Sequence, residues 1–202
     1  MVRPADIDEG IDFLTSNCEV MSSLVAQHRA PQLAPVQPEK YFDVLTCSII
    51  GQQLSVRAAD TIEGRLRDRV GEISPRSVLM VPDDDLRAIG FSRSKVSYAK
   101  GLAEAFETGE ITPDFLAHAQ DVDIVKSLTA IKGIGPWTAE MFLIFGMARP
   151  DVWSPGDLGL RRSVEFFFDT SDPSVADRWR PFRSIAAWYL WEHSDQLQGR
   201  VV

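Results

Sequence analysis

The sequence contains few of the residues that build covalent or metal-bound frameworks. Only two cysteines and three histidines occur in 202 residues. Cys18 and Cys47 each lie in an apolar-periodic segment, which is typical of reduced thiols in a hydrophobic core. The histidines are scattered, and none stands at a metal-ligand spacing from another. We therefore expect neither a zinc site nor an iron–sulfur cluster.

Long apolar runs are also missing. The longest candidate, Met141 to Met147, is far shorter than the ~20 residues that a membrane-spanning helix needs. The first segment of the chain is rich in acidic residues and contains no long apolar run, so we expect no signal peptide. These absences predict a soluble protein that does not bind a membrane and that works in the cytoplasm.

Positive charge is scarce as well. With 21 basic and 29 acidic residues the formal net charge is −8, which argues against a protein that holds nucleic acid by bulk electrostatics. From residue 126 onward, however, nine basic residues balance nine acidic ones. The basic residues also form local groups, which are more typical of solvated helix faces than of phosphate sites. These groups are Arg65, Arg67 and Arg69; Arg93, Lys95 and Lys100; Arg161 and Arg162; and Arg178, Arg180 and Arg183.

The sequence does contain helical periodicity along nearly its whole length. Ala58, Ile62, Leu66 and Val70, for example, repeat every four residues. No segment alternates with a period of two residues, so we predict an all-α fold. Glycine and proline breakers divide the chain into about ten helices. The breakers lie at residues 31–38, 71–75, 82, 90, 109–113, 133–136, 150–156 and 173.

The breakers also suggest two helical lobes. The stretch APQLAPVQP, residues 30–38, has three prolines and is typical of an extended connector. A second loop, ARPDVWSPGD, indicates where the chain passes from one lobe to the other. We predict that residues 41–149 form one lobe, that residues 1–40 and 150–202 form the second, and that a groove lies between them.

The most informative short segment is IKGIGPWTAEMFLIF, residues 131–145. Gly133 and Gly135 can adopt positive φ at low cost and have no Cβ, so another group can approach the main chain closely. Pro136 suits the first position of a helix. The free N–H groups at that helix start form an arrangement that binds anions such as phosphate. Taken alone, a G-x-G turn between two helices is more often only a tight connection.

The continuation of this segment carries a family resemblance. LTAIKGIGPWTAEMF resembles the helix–hairpin–helix motif of the DNA-repair glycosylase superfamily, L-x-x-[LI]-x-G-[IV]-G-x-x-T-A. Three further segments resemble that superfamily in the same order: SIIGQQLSVRAA, LRAIGFSRSKVSYAKGLAEAF and RWRPFRSIAAWYLW. The subfamily that the sequence resembles most is the alkyladenine type, 3-methyladenine DNA glycosylase II. The motif positions that match are Leu128, Ile131, Gly133, Ile134, Gly135, Thr138 and Ala139.

The resemblance implies an enzyme of base excision repair. The expected substrate is double-stranded DNA with alkylated bases of the 3-methyladenine or 7-methylguanine type, and the product is an abasic site. The lobe that contains the helix–hairpin–helix and the cleft beside it would then bind DNA. The resemblance also implies that the enzyme is a monomer and that it requires no cofactor.

Asp157 is the implied catalytic residue, because the superfamily carries an aspartate some twenty residues after the hairpin and Asp157 lies twenty residues after Trp137. Its context, SPGDLGLRR, is also typical of a helix N-cap. A carboxylate is useful because rupture of an N-glycosidic bond builds positive charge on the sugar. Strand-cleaving relatives have a lysine at the position of Trp137, so the resemblance implies a glycosylase without lyase activity.

The DNA contacts follow from the same comparison. Gln53 is the implied side chain that enters the duplex in place of the extruded base, with Gln52 beside it. From the residues alone, two glutamines at this place more often end one helix and start a turn. Gly133, Gly135 and Thr138 are the implied phosphate-binding positions of the hairpin.

Trp137 and Trp191 are at positions that line the base pocket of the superfamily. Cationic bases would gain cation–π attraction there. Met141 and Leu158 take places where some relatives carry aromatic residues, so we hypothesise a wider pocket that also accepts 1-methyladenine. Helical tryptophans are usually core residues, and we assign Trp153, Trp179 and Trp188 to packing.

Hairpins of this superfamily often hold a sodium or potassium ion through main-chain carbonyls. The matching positions are Thr129, Ile131 and Ile134, and carbonyl ligands leave no side-chain signature. Two alternatives stay open: a DNA-structure binder without catalysis, and a glycosylase for other damaged bases. The segment SRSK, residues 92–95, matches a serine-hydrolase motif but lacks its companions, so we interpret it as a helix start.

Overall fold

The computed structural model describes residues 6–197, with side chains to residue 194. This range contains α helices and no β strand, which confirms the predicted all-α class. Short 3₁₀ turns cover Pro38–Lys40 and Pro173–Trp179, and a π-helical segment covers Phe142–Gly146. The α helices are α1 Ile7–Asn17, α2 Glu19–Gln27, α3 Tyr41–Gly51, α4 Val56–Val70, α5 Pro75–Met80, α6 Asp83–Ala88, α7 Arg93–Glu107, α8 Pro113–His118, α9 Asp121–Thr129, α10 Pro136–Met141, α11 Leu158–Phe168 and α12 Arg183–Leu197.

Side-chain caps fix many of the helix starts. The hydroxyl of Ser55 accepts a hydrogen bond from the Ala58 N–H at the start of α4. Ser92 does the same for the Lys95 N–H, at 3.1 Å, at the start of α7. Such caps satisfy N–H groups that have no partner within the helix. The SRSK segment is therefore a helix start, as its sequence context predicts.

The chain divides into two compact units. The first is Val36–Phe142, and the second comprises the described parts of Val2–Pro35 and Leu143–Val202. We predicted the second division after residue 149, and the structure has it after residue 142. The reason is that the π-helical segment continues α10 without a break, so no glycine or proline marks the division.

The first unit is built around α3, which packs against α4 and α7. Its buried side chains include Leu45, Ile49 and Ile50, none of which is accessible to solvent. Cys47, which lies on the same helix, is a free thiol. Burial raises the pKa of this thiol far above its ordinary value. Because the thiolate is the reactive form, Cys47 behaves as an inert part of this core.

The second unit packs α1 and α2 against α12 and α12 against α11. Its core includes Leu14, Leu160 and the fully buried Trp179, whose ring lies 5.5 Å from that of Trp153. The packing role predicted for Trp153 and Trp179 thus agrees with their positions. No helix in residues 6–197 is long and apolar enough to cross a bilayer.

Candidate active site

The predicted hairpin lies in the first unit, between the end of α9 at Thr129 and the start of α10 at Pro136. Gly133 has a φ of +96°, as its glycine allows, and a Cβ there would lie 2.1 Å from Cγ of Tyr98. The close partner of Gly133 is therefore a ring of this chain. Gly135 differs, because its φ is −91° and nothing lies within 4 Å of its Cβ direction.

Gln52 connects the hairpin to the loop after α3. Its Nε2 donates to the carbonyl oxygen of Gly133 at 2.9 Å and lies 3.4 Å from Oγ1 of Thr138. Thr138 is only 4% exposed. The side chains of Gln52 and Thr138 therefore stabilise the hairpin through contacts within the protein. Phosphate binding at Thr138 and a position for Gln52 beside the inserted Gln53 stay predictions.

Gln53 is exposed and lies in the left-handed region, with a φ of +60°. A non-glycine residue in this region is uncommon and often marks a functional turn. Lys95 Nζ donates to the Ile50 carbonyl at 2.6 Å and so closes the end of α3 just before this turn. Burial lowers the pKa of Lys95. Gln53, the residue predicted to enter the duplex, is therefore at the tip of a well-anchored loop.

Trp137 is the second residue of α10, and its indole is 45% exposed. Large aromatic side chains are normally buried, so an exposed indole beside the hairpin is informative. Met141, the last residue of α10, is half-buried. Both residues belong to the first unit.

Asp157, in the second unit, is the N-cap of α11. Its Oδ1 accepts one hydrogen bond from the Leu160 N–H at 2.8 Å and another from Nε1 of Trp191 at 2.9 Å. The N-cap interpretation and the catalytic hypothesis are thus compatible, since both require a fixed carboxylate. Residue spacing alone could not show that Trp191 is a partner of Asp157.

The loop that leads to Asp157 is anchored by an ion cluster that the sequence did not indicate. Arg183, with a side chain only 15% exposed, donates through Nε to Oδ1 of Asp151 at 2.6 Å. Arg180 binds the same carboxylate at 3.0 Å. Ser184 adds a backbone bond to the Pro150 carbonyl. We interpreted this group as more typical of a solvated face. Arg183 departs from that interpretation, whereas the Arg180 side chain is 53% exposed and agrees with it.

Gly159 is a second residue that sequence analysis missed. A Cβ at this position would lie 3.1 Å from Oδ1 of Asp157 and 3.2 Å from Cδ1 of Trp191. The missing side chain leaves room for the carboxylate and the indole to meet. Its context, one residue between two leucines at a helix start, gives no local signal of this role.

Trp191 also lines a cavity of about 530 Å³ in the second unit. That volume lies in the range of about 300–1,000 Å³ found for small-molecule sites. The rings of Phe145 and Trp191 are 5.7 Å apart. The lining includes Phe145, Trp188, Trp191, Arg29, Gln32 and Glu192. Trp188 is therefore a wall residue as well as a packing residue, which corrects its predicted assignment to the core.

Leu158 was predicted as a pocket residue. It is 55% exposed at the first position of α11, and it is not among the residues that line this cavity.

Two histidines lie next to this lining. Nε2 of His28 is 3.4 Å from Nδ1 of His193, and the rings meet edge to face. Burial lowers the pKa of His28, His193 lowers it further, and Glu192 acts in the opposite direction. His28 is therefore held mainly in its neutral form, and Glu192 is the acidic group that acts on it.

The hairpin carbonyls proposed for an alkali ion fit that group chemically. Helix α9 ends at Thr129, and the last carbonyls of a helix carry partial negative charge. The Ile131 carbonyl accepts from the Ile134 N–H at 3.1 Å and retains a second lone pair. Oxygen ligands of this kind suit hard cations.

Comparison with known proteins places these features in a family. The protein-family model described as HhH-GPD superfamily base excision DNA repair protein matches residues 46–178 of this chain. A putative DNA-3-methyladenine glycosylase of Bacillus subtilis, YfjP, is 30% identical over 85% of this chain. The match spans 64% of that relative's own length.

Two solved structures are similar over nearly the whole chain. A DNA-3-methyladenine glycosidase from Bacillus halodurans has a TM-score of 0.81 and 30% identity, covering 98% of this chain and 94% of its own. The Schizosaccharomyces pombe 3-methyladenine DNA glycosylase Mag1, in complex with abasic DNA, has the same TM-score and 30% identity, covering 93% and 97%. The resemblance seen in the sequence is confirmed, and the chain belongs to the HhH-GPD superfamily of base excision DNA repair proteins.

Proposed function

We propose that this protein is a DNA glycosylase of base excision repair that releases alkylated bases from double-stranded DNA and leaves an abasic site. The observation that carries the proposal is the carboxylate of Asp157, fixed by Leu160 and by an indole that lines an aromatic cavity. Relatives named DNA-3-methyladenine glycosylases support it, as does the abasic-DNA complex of the yeast relative.

Asp157 stabilises the charge that develops as the glycosidic bond breaks. The sugar becomes cationic while the base leaves with the electron pair, so a carboxylate that is already in position lowers the barrier. It also orients or deprotonates the attacking water. An alkylated purine is cationic before it reacts, so it leaves without a second protein acid.

The aromatic cavity receives the extruded base. Phe145, Trp188 and Trp191 offer ring faces, and a cationic base over an indole gains about 0.5–2 kcal/mol. Whether the range of lesions extends to 1-methyladenine depends on how many of these rings contact the base.

The hairpin and the Gln53 loop hold the DNA strand. Gly135 leaves its backbone open to a phosphate, and Gln53 fills the gap that the extruded base leaves in the stack. A sodium or potassium ion on the carbonyls of Thr129, Ile131 and Ile134 would supply positive charge for a second contact with a phosphate.

Trp137 supports a reaction without strand cleavage, because an indole cannot form a Schiff base with the sugar. Borohydride added during turnover should therefore trap no covalent protein–DNA adduct. A strong adduct would contradict this part of the proposal.

Gel filtration should show a monomer, and imaging of the tagged protein should place it in the cytoplasm with the DNA.

The deciding experiment is base release from defined duplexes that carry 3-methyladenine, 7-methylguanine, 1-methyladenine, an oxidised base or no lesion. We expect release of the first two bases, with strand breaks only after alkali treatment of the abasic product. Tight binding without release would favour a DNA-structure binder. Release of the oxidised base alone would favour a different glycosylase.

A further inference from the structure

The cavity beside Asp157 contains a charged wall as well as aromatic ones. Glu192 follows Trp191 directly in α12, and both residues line the cavity. Glu192 is half-buried. Among the described side chains, no ion pair or hydrogen bond engages its carboxylate. Glu192 does interact electrostatically with His28, but burial lowers the pKa of that imidazole, so it supplies little positive charge. A half-buried carboxylate without an ion pair or a hydrogen bond in an aromatic cavity is suited to a cationic guest.

Arg29 lines the same cavity, so its positive charge opposes the effect of Glu192 on the electrostatic potential there. Arg29 is exposed, and an exposed charge is strongly screened by water and salt. Glu192 is half-buried, so its field inside the cavity is screened less. The carboxylate therefore sets the sign of the potential that a guest deep in the cavity experiences.

We infer that Glu192 is the residue that selects cationic bases, by holding their positive charge against the aromatic walls before the glycosidic bond breaks. This inference rests on the proposed function and assigns its specificity to one side chain. A neutral base gains nothing from the carboxylate and must still displace its water. Aromatic walls alone discriminate less, since they attract the π-faces of every base.

The position of the charge predicts an unusual kinetic signature. The base is cationic in the bound substrate and becomes neutral as it departs with the electron pair of the bond. Glu192 therefore stabilises the ground state more than the transition state. An interaction of this kind strengthens binding and does not increase the maximum rate. Asp157 acts in the opposite way, because the charge on the sugar appears only in the transition state.

The test is single-turnover base release from 7-methylguanine duplexes at several enzyme concentrations. For Glu192→Gln we expect the half-saturating concentration to rise about fivefold to tenfold, with a maximum rate that is unchanged or raised up to about threefold. Affinity for a duplex with a tetrahydrofuran abasic analogue, measured by fluorescence anisotropy, should stay within about twofold, because no base occupies the cavity.

Two variants control for other effects. Glu165→Gln, on the exposed face of α11, makes the same change in net charge and should leave both constants as in the wild type. Glu192→Asp keeps the carboxylate and should stay within about threefold of the wild type.

Three outcomes for Glu192→Gln would overturn the inference while the wild type remains active. The first is an unchanged half-saturating concentration, and the second is a fall in the maximum rate alone. The third is an equal loss of affinity for the 7-methylguanine duplex and for the duplex with the abasic analogue. A wild-type protein that releases no base would overturn the proposed function and this inference with it.

Discussion

The indole Nε1–H of Trp191 donates a hydrogen bond of 2.9 Å to Oδ1 of Asp157, across 34 positions of the chain. The same oxygen accepts from the Leu160 N–H. Two donors on one carboxylate oxygen fix the orientation of the group before any substrate arrives. Such preorganisation is the main source of electrostatic catalysis, because no dipoles need to reorient during the reaction.

Asp157→Asn should separate catalysis from stability. Asparagine is as good an N-cap as aspartate, so α11 should keep its start and the free energy of unfolding should change by less than about 0.5 kcal/mol. The rate of base release should fall on the order of 10²-fold or more, because the negative charge is lost. Single-turnover assays and urea unfolding measure the two effects. Wild-type rates from this variant would remove Asp157 from the mechanism.

Trp191→Phe tests the donor to that carboxylate. The variant keeps an aromatic wall and removes the N–H, so the rate should fall about tenfold through lost orientation. Trp188→Phe is the matched control on the same helix, since the Nε1 of Trp188 has no hydrogen-bond partner among the described residues. Removal of the Trp188 N–H by this substitution should change the rate of base release by less than about threefold. Equal effects of the two variants would indicate that only ring area matters.

The fold was predictable because most helix boundaries depend on local residues such as glycine and proline. Gly71, Pro75 and Pro113 stand at helix ends in the structure, as glycine and proline chemistry dictates. The division at residue 142 was not predictable, because the chain continues through it as a π-helical segment. A change of helix type inside an apolar run leaves no breaker in the sequence.

The site was predictable only where the signal is a residue type at a fixed place. The positive φ of Gly133 follows from its being glycine in a tight turn. The ring of Tyr98 against it, and the ion pair of Arg183 with Asp151, depend on contacts between distant segments. No spacing rule encodes such contacts, so the sequence alone favoured a solvated face for Arg183.

Gly133→Ala should destabilise the first unit. Alanine is strained at a φ of +96°, and its Cβ would overlap the ring of Tyr98. The free energy of unfolding should fall by about 2 kcal/mol or more. Chemical denaturation measures this loss.

Gly135→Ala is the matched control in the same turn. Its backbone is compatible with alanine and the space around it is open, so stability should change by less than about 0.5 kcal/mol. If a phosphate approaches this position, DNA affinity should nevertheless fall severalfold. Unchanged DNA affinity would remove Gly135 from the phosphate site, and equal destabilisation by both variants would contradict the distinction between the two glycines.

The neighbouring glutamines should have opposite phenotypes. Gln52→Ala leaves the Gly133 carbonyl without its side-chain donor, so stability should fall by about 1 kcal/mol. Gln53 is exposed, so Gln53→Ala should leave stability within about 0.5 kcal/mol of the wild type. Its base release from a fully paired duplex should fall about tenfold, because nothing then fills the gap in the stack. Release should recover when the lesion faces a mismatched base, since a poorly paired base is easier to extrude. A loss of the same size on paired and mismatched duplexes would show that Gln53 acts on the chemical step and not on extrusion.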